Sequence, residues 1–529
     1  MGEALFEGGA SPLENLLVKS YLFVAASALV LATLTTPAMA QMHMPGMTMP
    51  MPAKHAVKKK AAARKKGATK ATPNRKAVAK NKTSARVTTK KTPAKAMQGM
   101  SMPTPAQPGA PASSMPMGQE MGQMNMPMGQ SQMSGMNMQH GGHQRAMSAA
   151  LGSYPAEREA SGTSWQPDAS RHIGLMTMSG DWMLMAHGDV NLVYDHQSGP
   201  RGDDKAFASG MLMGMAQRPL GNGTLQFKAM LSSDPLMGPS GYPLLLASGE
   251  TANGRDRLID RQHPHDLFME LAGSISQNIG NGSSVFLYAG LPGEPAFGPP
   301  AFMHRESIMD SPEAPITHHW LDSTHISFGV VTAGLVLDRV KVEVSRFNGR
   351  EPDQHRWNIE TGPLDSTAIR LSWNPTSTLA LQGSWGHFVD PEQLEPDIDQ
   401  KRWSASALWA EDIAPAWHAA ATLAWGRKSA QGHSDDGVAL EGSLNHAQWT
   451  LFGRAEMTQN RELLDIENGP AFRVGKTSLG AIRDFPIGSH LSLGAGGLFS
   501  LNFVPDGLAP LYGGHNPTGE MAFLRLKLN

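Results

Sequence analysis

From Asp181 to the end of the chain, apolar positions alternate with small or polar ones in segments of roughly 9 to 12 residues, broken by Gly, Asn, Asp or Pro. The alternation has the two-residue period of a β-strand, and few architectures accept it so many times in succession. Clear instances are 181–194 (DWMLMAHGDVNLVY), 365–374 (DSTAIRLSWN), 379–389, 400–410, 416–426, 447–457 and 490–503. In one of them Leu379, Leu381, Gly383 and Trp385 share a face, and Ala380, Gln382, Ser384 and Gly386 share the other. An apolar face opposite a small, polar one suits a strand between lipid and a wet lumen. Aromatic residues recur near segment ends (Trp182 with Tyr194, Trp373, Trp403 with Trp409, Trp417 with Trp425, Trp449), as in interfacial girdles. These features predict an all-β fold over 151–529, a transmembrane antiparallel up-and-down β-barrel of about 16 strands, within roughly 12 to 18. A soluble sandwich or propeller also reads as many short strands. The short links at Asp338-Arg339 and His446-Ala447 and the alternating final strand from Met521 to Leu528 favour the barrel, although Asn529 stands where many such barrels end in an aromatic.

The N-terminal region predicts export. Lys19 precedes an apolar run from Tyr21 to Leu34, and Ala38-Met39-Ala40 follows it as a signal-peptidase site. The run is shorter than the ~20 residues a spanning helix needs. Residues 1–40 therefore read as a signal peptide and Gln41 as the mature start; the acidic lead-in 1–15 suggests a true start near Leu16 to Val18. No later segment approaches the ~18 apolar residues of a membrane helix, so the mature protein is expected to be periplasmic, secreted or a barrel.

Composition separates 41–150 from 151–529. Lys54 to Lys95 holds 16 Lys or Arg and no acid, whereas 151–529 holds 27 basic and 42 acidic residues, a difference of -15. Low complexity, frequent Pro and few aromatics predict a disordered arm reaching into the periplasm. The chain has no Cys, which leaves Met and His as soft metal ligands.

The arm carries 18 Met between 42 and 147, largely as Met-x-Met: Met42 and Met44; Met47, Met49 and Met51; Met100 and Met102; Met115 and Met117; Met124, Met126 and Met128; Met136 and Met138. His43, His55, His140 and His143 are interspersed. A thioether has no proton to lose and suits Cu(I), or silver, where a thiol would be oxidised; His adds affinity for Cu(II). An incidental, compositionally biased spacer is the alternative. The Lys-rich run resembles histone-like tails, but outside the cytoplasm nucleic acid is not an expected partner. Anionic lipid or a cell-wall polymer is expected instead, or no partner if the run is a self-repelling spacer.

Within the barrel, His263, His265 and Asp266 fall within four residues, and Met303, His304, Met309, His318, His319, Asp322 and His325 follow in a Pro-bearing segment able to fold inward. In an extended chain His263 and His265 face one side and could share a metal or line the lumen; His187, His355 and His387 are further candidates. Purely structural hydrogen bonding explains the same residues. A hydrolase would need a nucleophile beside a base, for which Ser307 near His304 and Ser323 near His325 qualify only by proximity.

The signal peptide, the segments MHMPGMTMPM and MGQMNMPMGQSQMSGMNMQHGGH and the acidic C-terminal barrel together resemble the copper-resistance B-type outer-membrane proteins; the Lys-rich insertion departs from their pattern. DRQHPHDLFMEL, FMHRESIMDSPEAPITHHWLDSTHI and FNGREPDQHRW are similar to phrases of an uncharacterised bacterial envelope family associated with copper handling. Neither resemblance carries catalytic residues. The resulting expectation is a non-enzymatic Gram-negative outer-membrane barrel whose periplasmic arm sequesters copper by ligand exchange, with outer-membrane lipid and periplasmic copper proteins as partners. A general pore or structural barrel with the arm as a tether is the alternative, and an outer-membrane hydrolase the third reading.

Overall fold

The computed structural model describes residues 149–171, 174–466 and 469–528. The signal peptide and nearly all of the arm, including every arm Met and His, lie outside the described residues.

Among the described residues nineteen strands run in chain order. They are β1 (Leu175–Ser179), β2 (Trp182–Gln197), β3 (Asp204–Leu220), β4 (Gly223–Ser232), β5 (Tyr242–Thr251), β6 (Arg257–Gln262), β7 (Phe268–Gly280) and β8 (Ser283–Gly290). Next come β9 (Val330–Leu337), β10 (Val340–Phe347), β11 (Ser366–Trp373), β12 (Leu379–Phe388), β13 (Gln400–Ala414) and β14 (Trp417–Ala430). The last are β15 (His433–His446), β16 (Trp449–Asn460), β17 (Phe472–Ile487), β18 (Leu491–Phe503) and β19 (Thr518–Leu528). Sixteen of them, β2 to β4 and β7 to β19, pair antiparallel with their neighbours, and β19 pairs back onto β2 from Gly519↔Gln197 to Leu528↔Gly188. The sheet is thereby a closed 16-stranded barrel with no free edge. Short β1 continues the seam, pairing with β2 at Leu175↔Ala186 just beyond the end of β19.

Each of the alternating segments, from 181–194 to 490–503, is a wall strand, because alternation puts one side chain in two outside the barrel. Leu192, Leu212, Leu423, Leu451, Leu479 and Leu524 all point outward and are exposed. A continuous apolar exterior on a closed sheet is a lipid-facing belt, so this is a transmembrane β-barrel of the outer-membrane kind. One end of the wall is closed by short turns, such as Asp338-Arg339 and Ala447-Gln448, and Trp182, Trp373, Trp417 and Trp449 stand there. The other end carries the long connections, including 233–267 and 291–329. By the habit of such barrels, the short-turn end faces the periplasm.

The long connections fold into the lumen. β5 and β6 form a separate hairpin, all of β5 is buried, and Leu244, Leu245 and Leu246 pack with the wall residues Phe207, Phe452 and Ile482. Segment 291–329 is buried over most of its length. It is held to the wall by ions: Arg305 to Glu441, Glu313 to Lys476 and Arg454, Asp310 to Arg525. Residues 149–170 enter beside the short-turn half, where Lys228 donates to Gly162 O, Lys341 to Thr163 O, and Ser276 and Ser284 to Ala150 O and Leu151 O.

Two outcomes are expected of this plug. In planar bilayers the full chain is expected to lack the steady conductance of an open porin. Arg305→Ala leaves Glu441 and Asp322 buried without their counter-ion, and is expected to lower stability to urea by roughly 3–5 kcal/mol. A loss under about 1 kcal/mol, read from tryptophan fluorescence, would show that these pairs do not hold the plug.

Candidate metal centre

Three histidines converge inside the plug. His265 lies on the turn between β6 and β7, His318 opens the one-turn helix His318–Leu321, and His325 ends the 3-10 turn Ser323–His325. One ring nitrogen of each lies within 4.8 Å of one from each of the others. All three are buried. Their Nδ1 atoms are engaged: His265 with Asp234 Oδ2 at 2.8 Å, His318 with Asp322 Oδ1 at 2.8 Å, and His325 with Asp322 O at 2.8 Å. Carboxylate and carbonyl partners fix the proton on Nδ1, so each Nε2 presents a lone pair, and all three Nε2 atoms are buried without a hydrogen-bond partner.

A buried polar atom left unpaired costs about 1–3 kcal/mol. Three clustered imidazoles, each with a free Nε2 and each oriented through Nδ1 by a fixed acceptor, have the pattern of metal-binding histidines. Metal–nitrogen bonds of about 2.1 Å place tetrahedral ligand nitrogens about 3.4 Å apart, so nitrogens that stand within 4.8 Å of one another would close by at most about 1.4 Å. Three neutral nitrogens with no thiolate suit Cu or Zn and leave a coordination position open. A cavity of about 70 Å³ reaches His265 and is lined by Met211, Met269, Met303 and Met309.

Asp322 organises this arrangement. It orients two of the three rings, and its second carboxylate oxygen accepts from Arg305, which grips Glu441 of β15. Although burial opposes its ionisation, Arg305 and His318 hold Asp322 well below the usual carboxylate range. The helical turn is pinned to the wall on both sides, by Thr317 on Glu456 and by Trp320 Nε1 on Asp435 O.

His263 and His265 do not share a strand face as their spacing suggested. β6 ends at Gln262, and Pro264, which cannot donate to a ladder, comes two residues later. His263 stands beside the triad, its ring centroid 5.8 Å from that of His318, with Nδ1 3.2 Å from Glu250 and Nε2 buried and unpartnered. His319 turns to Glu351 at 3.1 Å, His387 to Asp399 at 3.1 Å, and exposed His355 accepts at Nε2 from the Gln354 amide. His187 and His304 form another pair, 6.0 Å between rings. The hydroxyl of Ser307 is taken by Thr422 and Glu441 and that of Ser323 approaches Glu351, so neither serine is paired with its neighbouring histidine. Spacing along the chain did not point to Asp234, Arg305 or the wall methionines Met211, Met213, Met215 and Met230. MLMGM in β3, with Met at every second position, was the available signal for three of them.

No family model matches the chain, and no curated protein matches it. Among solved structures it is similar to OmpT of Vibrio cholerae (8% identity, TM-score 0.38, 67% of this chain and 100% of that one). It is also similar to an anion-selective porin from Comamonas acidovorans (11%, TM-score 0.38, 65% and 99%) and to Salmonella typhi OmpF in complex with daunomycin (8%, TM-score 0.43, 67% and 100%).

Burial pushes the His318 and His325 rings below the ordinary histidine value, furthest for His325. Between that depressed value and about 6.5 the unfolded chain binds more protons than the folded one, so stability is full above about pH 6.5 and falls as pH drops below it. The metal-free protein is expected to lose stability from pH 7 to 5, and His325→Gln to flatten that slope. An unchanged slope in His325→Gln would show that this ring is not held neutral by the fold.

Proposed function

We propose that this outer-membrane barrel captures copper, with the Met-rich arm collecting the ion and His265, His318 and His325 forming a second station in the plug. The observation that carries the plug station is three buried imidazoles, each with a ring nitrogen within 4.8 Å of one from the other two, and each with an Nε2 that has no hydrogen-bond partner. Support for copper comes from the arm: its Met-x-Met clusters are soft, proton-independent ligands, and it is the arm that resembles the copper-resistance B-type proteins. In support of a periplasmic arm, residues 149–170, which follow it in the chain, enter the lumen at the short-turn end. Ligand exchange suffices as the mechanism, and no covalent step is required.

The simpler reading is an outer-membrane barrel whose arm is a tether. The filled lumen favours a structural barrel over a pore within that reading, and metal counting separates it from capture. Full-length protein purified from copper-fed cells is expected to hold one copper fewer per chain when His265, His318 and His325 are all changed to Ala, with heat-modifiable migration unchanged. Asp322→Asn is expected to weaken the same site by roughly 10- to 100-fold. Replacing the arm Met residues with Leu should remove the remaining Cu(I) and spare the triad's ion. Equal copper in wild type and the triple variant would reject the plug station, and equal copper after arm replacement would reject thioether capture.

A further inference from the structure

The inner face of β2, β3 and β4 carries a second set of soft ligands. His187, Met213 and Met230 are directly opposite one another across the three strands, in the registers His187↔Met213 and Met213↔Met230. The row on one side is Met185↔Met215 and the row on the other contains Met211. His304 of the plug leans onto this wall. His187 Nε2 lies 3.2 Å from Met213 Sδ, and His304 Nε2 lies 3.4 Å from Met230 Sδ. A metal bound by one imidazole at about 2.1 Å and one sulfur at about 2.3 Å holds the two ligand atoms roughly 3.5 Å apart. Both nitrogen–sulfur pairs already stand near that separation.

We propose that His187, Met213, Met230 and His304 form a binding site for a soft monovalent cation, Cu(I) or Ag(I), distinct from the histidine triad. This deepens the metal-capture reading and rests on it for its biological sense, but it stands on different side chains. Apolar packing alone accounts for methionines on a wall, but it does not account for two imidazole nitrogens directed at two of the sulfurs. Ligand type selects the ion, since thioethers hold Cu(I) and contribute nothing to hard cations. His187, Met213 and His304 line one chamber of about 100 Å³ together with Met185, Met211 and Met215.

The placement also suggests a route. The chamber and the cavity at His265 share Met211, Met309 and Asp189 as lining, so the two sites are separated by a thioether partition. An ion could pass from sulfur to sulfur to the triad by ligand exchange, with no change of oxidation state.

Ag(I) is the probe, because it needs no reductant. Full-length protein is titrated with Ag(I), and crystals soaked in Ag(I) are measured by anomalous diffraction. A peak between His187, Met213, Met230 and His304 is expected. The variant Met213→Leu/Met230→Leu conserves volume and keeps the wall packed, and is expected to lose that peak and one equivalent of Ag(I). The same variant should keep its triad copper, and the His265/His318/His325→Ala variant should keep the chamber silver. An absent peak with unchanged stoichiometry in the double Leu variant overturns the chamber site. Loss of triad copper only in the triple variant, alongside that result, would leave the plug station standing, so the two readings fail separately.

Discussion

The buried contact between Arg305 and its two carboxylates couples the wall of this barrel to its contents. Glu441 belongs to a membrane strand, Asp322 to the plug, and the guanidinium between them is fully buried. A charge in such a place is tolerable only when it is paired and hydrogen-bonded at each donor, and Arg305 also reaches Pro300 O. Because Asp322 then directs both His318 and His325, two of the three rings of the candidate metal centre take their orientation from an ion-pair chain that begins in the wall, while His265 takes its own from Asp234.

The wall was legible in the sequence because lipid enforces it. A strand with hydrocarbon outside must show an apolar residue at every second position, and Leu379 to Phe388 or Trp449 to Asn460 carry that pattern through most of their length. The plug was not legible, since a water-filled lumen and a filled one place the same kinds of polar residue on the inner face. Lys341, Glu343 and Arg370 read as pore lining, and only their burial shows that they support inserted chain. The inward folding of 300–325 could be anticipated from its Pro and His content. The grouping of His265 with His318 and His325 could not, because those residues are about fifty positions apart and are brought together by long-range closure.

The same difference explains why the arm drew attention that the barrel methionines did not. In a low-complexity, Pro-rich sequence such as 41–150, Met-x-Met follows no core-forming pattern. In β3, Met211, Met213 and Met215 satisfy the strand period as any apolar residue would, and their chemistry emerges only when His187 and His304 are found directed at the neighbouring sulfurs. An imidazole nitrogen aimed at a thioether sulfur puts two kinds of metal ligand at one point, and that juxtaposition is invisible to strand periodicity.

The plug's partners also bear on assembly. Arg305, Asp310 and Glu313 precede in sequence the strands they grip, β15, β19, and β16 with β17. A slip of one residue in any late strand would turn Arg454, Lys476 or Arg525 toward hydrocarbon and leave a carboxylate stranded in the lumen. The interior thus works as a template against which the second half of the wall is proofread, and the seam between β19 and β2 can close at low energy in one register only.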